Sequence, residues 1–116
     1  VYSVTHFGNG CLIRVEHDVD ILTSPSLASA IELAASGTNG PVVVSLEACS
    51  YCDASALTVF LRAKAALGAR FSIFVPSEHP IRRLFEITGL TQRLGLVASI
   101  SLTGDVRPGG SVAAGA

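Results

Sequence analysis

The chain has 116 residues, 49% of them hydrophobic, with eight basic and nine acidic side chains and a formal net charge of −1. That is one domain's worth of sequence with enough apolar side chains for a core, which excludes a disordered chain. The near-zero charge gives no electrostatic footprint for nucleic acid, and no apolar run approaches the roughly 18–20 residues of a membrane helix.

No secretory signal pattern opens the sequence, which predicts a cytoplasmic protein. Three cysteines are an odd number, so they do not form a complete set of internal disulfides. Cys49 and Cys52 have C-x-x-C spacing, but no second pair completes a four-ligand zinc site.

Tyr2 to Phe7 and Cys11 to Val19 alternate with period two around Gly8-Asn9-Gly10, a hairpin signal. Ser24 followed by Pro25 predicts a helix start, with Ser24 as N-cap and Pro25 at the first helical position. Leu27, Ala30, Ile31 and Ala34 continue it at helical spacing, and Gly37 closes it. Pro41 to Leu46 is short and apolar throughout, which predicts a central strand covered on both faces.

Asp53 then caps a second helix that runs through Leu57, Phe60, Leu61 and Lys64 to Gly68. Phe71 to Val75 predicts another buried strand, stopped by Pro76. His79 to Ile87 predicts a third helix with Ile81, Leu84 and Phe85 inward, Arg82 and Arg83 exposed, and Gly89 as its cap. Leu96 to Leu102 predicts a last strand, and from Gly104 the chain becomes Gly-rich and aperiodic. The order is β-β-α-β-α-β-α-β. It predicts an α/β domain over residues 1–103 with a tail at 104–116. The sheet is mixed, of four to five strands: an N-terminal hairpin joined to parallel strands by right-handed crossovers.

In this order, three segments resemble STAS domains, especially the small bacterial anti-sigma factor antagonists. His17-Asp18-Val19-Asp20-Ile21-Leu22-Thr23-Ser24-Pro25 is similar to the family's Gly-Glu-Leu-Asp-Leu-Ala-Thr-Ala-Pro stretch. Val42 to Leu57 is similar to its Val-Val-Val-Asp-Leu-Ser-Gly-Val-Thr-Phe-Ile-Asp-Ser-Ser-Gly-Leu signature, and Leu84-Phe85-Glu86-Ile87-Thr88-Gly89-Leu90 to its Leu-x-Leu-Thr-Gly-Leu helix end.

The resemblance implies a protein that docks on an anti-sigma factor of the serine-kinase type and so frees a sigma factor. In such proteins the kinase phosphorylates the serine directly after the signature Asp and ends the interaction. The implied docking residues are Asp20, Thr23, Asp53, Ala54, Ser55 and Leu57. The implied protein is a cytoplasmic monomer or weak homodimer, with no enzymatic activity, cofactor or metal, and no membrane partner.

The chain departs from the pattern where that switch acts. Ala54 stands at the phosphoacceptor position, Ala56 replaces the glycine, Ser45 the strand Asp, and Glu47-Ala48 a Ser-Gly pair. A phosphate would bring about −1.5 to −2 charges beside Asp53. Ala54 has no hydroxyl to carry it, so a permanently active antagonist is expected.

Each residue also has a plainer reading. Asp53 caps a helix and interacts favourably with its dipole. Ser55 contacts backbone or solvent, or serves as a substitute acceptor; a shift of one residue rotates it by roughly 100°, out of register with a kinase. Asp20 is a turn carboxylate or a partner contact, placed near Asp53 at the same end of the sheet. Cys49 and Cys52 are small buried hydrophobes, or a redox pair in which one partner could instead be Cys11. They are not a thioredoxin-like centre, because Asp53 and not a Cys holds the helix cap.

His6, His17 and His79 lack ligand spacing. Arg82 and Arg83 are a solvated helix face or meet acidic groups on a partner. No nucleophile elbow supports a hydrolase, and no base or phosphate loop accompanies the paired carboxylates. The alternative function is a STAS module that binds a small ligand or nucleotide, or a scaffold module in a larger signalling assembly.

Overall fold

Side chains of the central strands alternate between two faces of one sheet, and the helices fill only one of them. The computed structural model describes residues 2–98. Strand β1 (Tyr2–Phe7) and strand β2 (Gly10–Val15) form an antiparallel hairpin. Phe7 pairs with Gly10, so the turn is the two residues Gly8-Asn9, and Gly8 supplies the left-handed φ of 50° that it needs. Helix α1 (Ser24–Ser36) leads to β3 (Val42–Ser45), and α2 (Ala54–Leu67) leads through a 3₁₀ turn, Gly68–Arg70, to β4 (Phe71–Phe74). Helix α3 (Pro80–Thr88) precedes β5 (Leu96–Val97).

The strand order is β1-β2-β3-β4-β5, with every pair after the hairpin parallel. Right-handed crossovers that always advance in one direction place all their helices on the same face. Cys11, Ile13 and Val15, Val42, Val44 and Leu46, and Phe71, Ile73 and Val75 point to that face. There they pack with Leu27 and Ile31 of α1, Phe60 of α2 and Phe85 of α3. The Phe60 and Phe85 rings lie 6.3 Å apart. Phe7, Leu12, Val43 and Phe74 form a second cluster on the opposite face.

Several boundaries differ from the sequence reading. Regular β2 stops at Val15 and not Val19, because the chain turns at 16–18 before Val19 makes an isolated bridge. Helix α1 has Thr23 as N-cap, so Ser24 is its first, buried residue and Pro25 its second. His79 is the N-cap of α3 and not a helical residue, its Nδ1 accepting the Ile81 N–H. Arg82 is half-buried and donates to the Val75 carbonyl at 2.7 Å, which removes it from the solvated pair. The expected last strand is described as Leu96–Val97; its continuation to Leu102 and the tail at 104–116 lie outside the described residues.

Candidate functional site

Parallel strands end together, so the loops that leave β2 and β3 emerge side by side. Here the two loops are also joined. Val19 bridges Cys52: the Val19 N–H donates to the Tyr51 carbonyl at 2.9 Å, and the Asp53 N–H donates to the Val19 carbonyl at 3.1 Å. Arg14 Nη1 of β2 reaches Glu47 Oε1 at 3.3 Å and ties that strand to the loop after β3.

Asp20 and Thr23 build the first loop by exchanging hydrogen bonds. The Asp20 N–H donates to Thr23 Oγ1 at 2.9 Å, while Asp20 Oδ1 accepts the N–H groups of Leu22 at 2.9 Å and Thr23 at 3.1 Å. This is the reciprocal logic of a helix-capping box applied to the turn before α1. It engages Asp20 Oδ1 and Thr23 Oγ1 within the loop and leaves the intervening Ile21 and Leu22 exposed.

Asp53 builds the second loop. Its carboxylate accepts the Ser55 N–H at 2.9 Å and the Ala56 N–H at 3.4 Å, satisfying free donors at the start of α2. It also accepts the Ser55 hydroxyl. That hydroxyl is the largest cause holding Asp53 below its ordinary carboxylate value; burial opposes it, and the backbone N–H groups of Ser55, Ala56 and Ile21 assist. Ala54 lies exposed at the first position of α2, and Ser55 is half-buried with its hydroxyl engaged.

Leu57 is a correction. It is only 9% exposed and packs in the core, one helical turn below the cap, so it offers no side chain to a docked protein. Sequence reasoning passed over three others as site residues: Leu22 is 85% exposed, Ile21 74% and Tyr51 54%. Their signal was present: large apolar side chains in segments that follow neither strand nor helix periodicity.

The cysteines divide into two places. Cys49 and Cys52 face each other with sulfurs 3.8 Å apart, and Cys49 Sγ also donates to the Tyr51 carbonyl at 3.3 Å. The Cys52 S–H directed at Cys49 holds the Cys49 thiol below its ordinary range; the same bond, with burial, pushes Cys52 up. Cys11 pairs with Val42 at the opposite end of the sheet and contacts the Ala34 carbonyl. The length of β3 lies between, about 13 Å for four residues, so the expected alternative of Cys11 pairing with Cys49 or Cys52 is withdrawn.

Among the described residues, no three His, Cys, Asp or Glu side chains gather into a group that could hold a metal. No helix of the described residues is long and apolar enough to cross a membrane. A groove of about 570 Å³ runs between α1 and α2, lined by Ala28, Ile31, Ala35, Val59, Ala63 and Leu67; it shares no residue with the two joined loops. What the joined loops present is three exposed apolar side chains, Ile21, Leu22 and Tyr51, beside a capped helix start.

A family model described as "Mlab, STAS domain" matches residues 3–98. The fold is similar to the crystal structure of an anti-sigma factor antagonist from Mycobacterium paratuberculosis, with a TM-score of 0.76 and 20% identity over 86% of each chain. It is also similar to the phosphorylated form of the Bacillus cell fate determinant SpoIIAA, with a TM-score of 0.60 and 18% identity over 84% of this chain and 89% of that one. The unphosphorylated form of the anti-sigma factor antagonist SpoIIAA gives a TM-score of 0.57 and 18% identity, over 75% of this chain and 83% of that one. No curated protein sequence matches the chain.

Proposed function

Because this chain belongs to the STAS domain family, we propose that it is an anti-sigma factor antagonist, a binding protein and not an enzyme. It docks on an anti-sigma factor of the serine-kinase type through the loops after β2 and β3 and so frees a sigma factor for transcription. The observation that carries this is the exposed trio Ile21, Leu22 and Tyr51, held on two bridged loops beside the start of α2. Exposed aliphatic and aromatic side chains on hydrogen-bonded loops are the kind of anchor that dominates protein interfaces.

The phosphorylation switch is absent in this reading. Ala54 occupies the exposed first position of α2 without a hydroxyl, and Ser55, the remaining candidate, has its hydroxyl on the Asp53 carboxylate. The protein then stays competent to dock whatever the state of the kinase.

The experiment is titration of the purified chain against candidate anti-sigma factors of the kinase type by calorimetry, followed by ATP. Binding of a candidate, with no phosphate gained by the chain, is the expected result. Failure to bind any candidate, or stoichiometric phosphate on the wild-type protein, overturns the reading. A scaffold module in a larger assembly is the second reading, and stoichiometric co-purification with other subunits in place of an anti-sigma factor would decide for it.

A further inference from the structure

We infer that Cys49 and Cys52 form a reversible disulfide that reshapes the loop carrying Tyr51 and thereby controls docking. The inference rests on the docking reading for its consequence, and on geometry alone for its chemistry.

The two sulfurs are already in contact at 3.8 Å, and a disulfide has an S–S distance of about 2.05 Å. Closing the gap asks for less than about 2 Å of movement, within the reach of a short loop. In that loop Glu47, Ala48, Ser50 and Tyr51 are exposed, and its ties are Cys49 N–H to the Leu46 carbonyl, the Tyr51 carbonyl to the Val19 N–H, Asp53 N–H to the Val19 carbonyl, and the Glu47 carbonyl to His79 Nε2. Cys49 is 0% and Cys52 4% exposed, so reaction requires the loop to open locally. Cys11 stands at the far end of β2 and takes no part.

The step balances with a disulfide as oxidant. The Cys49 thiolate attacks the disulfide R–S–S–R, the S–S bond breaks, and one R–S⁻ leaves and takes a proton. Cys52 gives up its proton and attacks the Cys49 sulfur of the mixed disulfide, and the second R–S⁻ leaves. Two cysteine thiols are oxidised, the oxidant is reduced to two thiols, and one new S–S bond joins Cys49 to Cys52.

The consequences fall on the site. The Cys49 S–H no longer donates to the Tyr51 carbonyl, the same carbonyl that receives the Val19 N–H. Cys52, whose backbone makes the bridge to Val19, is drawn toward Cys49. Tyr51 lies between the two cysteines and has to move with them. The surface formed by Tyr51, Ile21 and Leu22 therefore differs between the reduced and oxidised forms.

The test uses the full chain, reduced and then exposed to oxidised glutathione. Thiols counted by alkylation after denaturation should fall from three to one. Peptide mapping should link Cys49 to Cys52 and leave Cys11 alkylated, and a dithiol reductant should restore all three. Cys49→Ala should keep both remaining thiols and Cys52→Ala should stop at a glutathione adduct on Cys49, with no internal link in either, whereas Cys11→Ala should still lose two. Amide exchange should change at 18–23 and 46–56 and remain unchanged in β4 and α3.

In the wild-type chain, three thiols after oxidation, a stable glutathione adduct, a link through Cys11, a crosslinked dimer or a chain-wide rise in exchange would each overturn the inference. None of these outcomes depends on an anti-sigma factor, so failure here leaves the docking reading intact. Conversely, a disulfide that forms in a chain with no partner upholds the chemistry and sinks only its purpose.

Discussion

Ser55 turns its hydroxyl onto the Asp53 carboxylate, and Ala54, between them in sequence, faces solvent. The residue with a hydroxyl is thus occupied, and the residue in the accessible place has none. Ala54→Ser should restore an acceptor. With the kinase that the wild-type chain binds, the variant should take up about one phosphate per chain and lose at least about tenfold in affinity, because a dianion then sits at the interface. Phosphate incorporation by intact mass spectrometry checks it, and an unmodified variant would remove Ala54 from the account.

Leu22 should behave as an anchor whose loss the fold does not notice. Leu22→Asp should weaken partner binding by about tenfold or more and move stability by no more than about 0.5 kcal/mol, since the side chain is 85% exposed. Calorimetric titration and urea unfolding, run on the same preparation, separate the two effects.

Leu57 should show the reverse. Its side chain is buried against the core, so Leu57→Ala should cost about 2–5 kcal/mol of stability. At a temperature where the variant remains folded, its affinity for the partner should be close to wild type. A large affinity loss in a folded Leu57→Ala chain would contradict its placement.

Asp53 gives the protein an acid-sensitive element. Its hydrogen bonds lower its value in the folded state below the ordinary 3.8. Stability from this group is therefore complete above the ordinary value and is lost as pH falls through the lowered one. Urea midpoints measured between about pH 5 and pH 2 should fall less steeply for Asp53→Asn than for wild type. The Asn carbonyl oxygen can still accept the Ser55 and Ala56 N–H groups but does not titrate. Equal slopes would mean that other carboxylates carry the acid response.

Much of the fold is legible because few competing patterns exist. The β-branched run at Val42–Val44 has no helical alternative of sufficient length, and Gly8, Asp53 and Gly89 mark turns and helix ends by their backbone requirements. The start of α1 is harder. Ser24-Pro25 looks like a cap, but Thr23 and Asp20 exchange hydrogen bonds one turn earlier, a long-loop arrangement that adjacent residue types do not reveal.

The site is legible by half. Asp20, Thr23, Asp53, Ala54 and Ser55 lie on the two adjoining loops, where Asp20 Oδ1, Thr23 Oγ1 and Asp53 Oδ1 are engaged by groups of the loops themselves. Ile21, Leu22 and Tyr51 are the side chains left facing outward, and exposure is a property of the assembled chain. The 3.8 Å contact between Cys49 and Cys52 and the remoteness of Cys11 likewise needed three dimensions, because C-x-x-C spacing fixes neither.

The bridge from Val19 to Cys52 spans a stretch of chain that contains all of α1 and β3. No short peptide copied from the sequence contains both of its ends. A fragment with Tyr51 lacks Leu22, and a fragment with Leu22 lacks the strand against which its loop is braced. The two halves of the candidate surface therefore come together only after the non-local pairing of β2 with β3 is complete, which is among the slower events in forming a parallel sheet. In the docking reading proposed above, a nascent or damaged copy of this protein is therefore invisible to an anti-sigma factor.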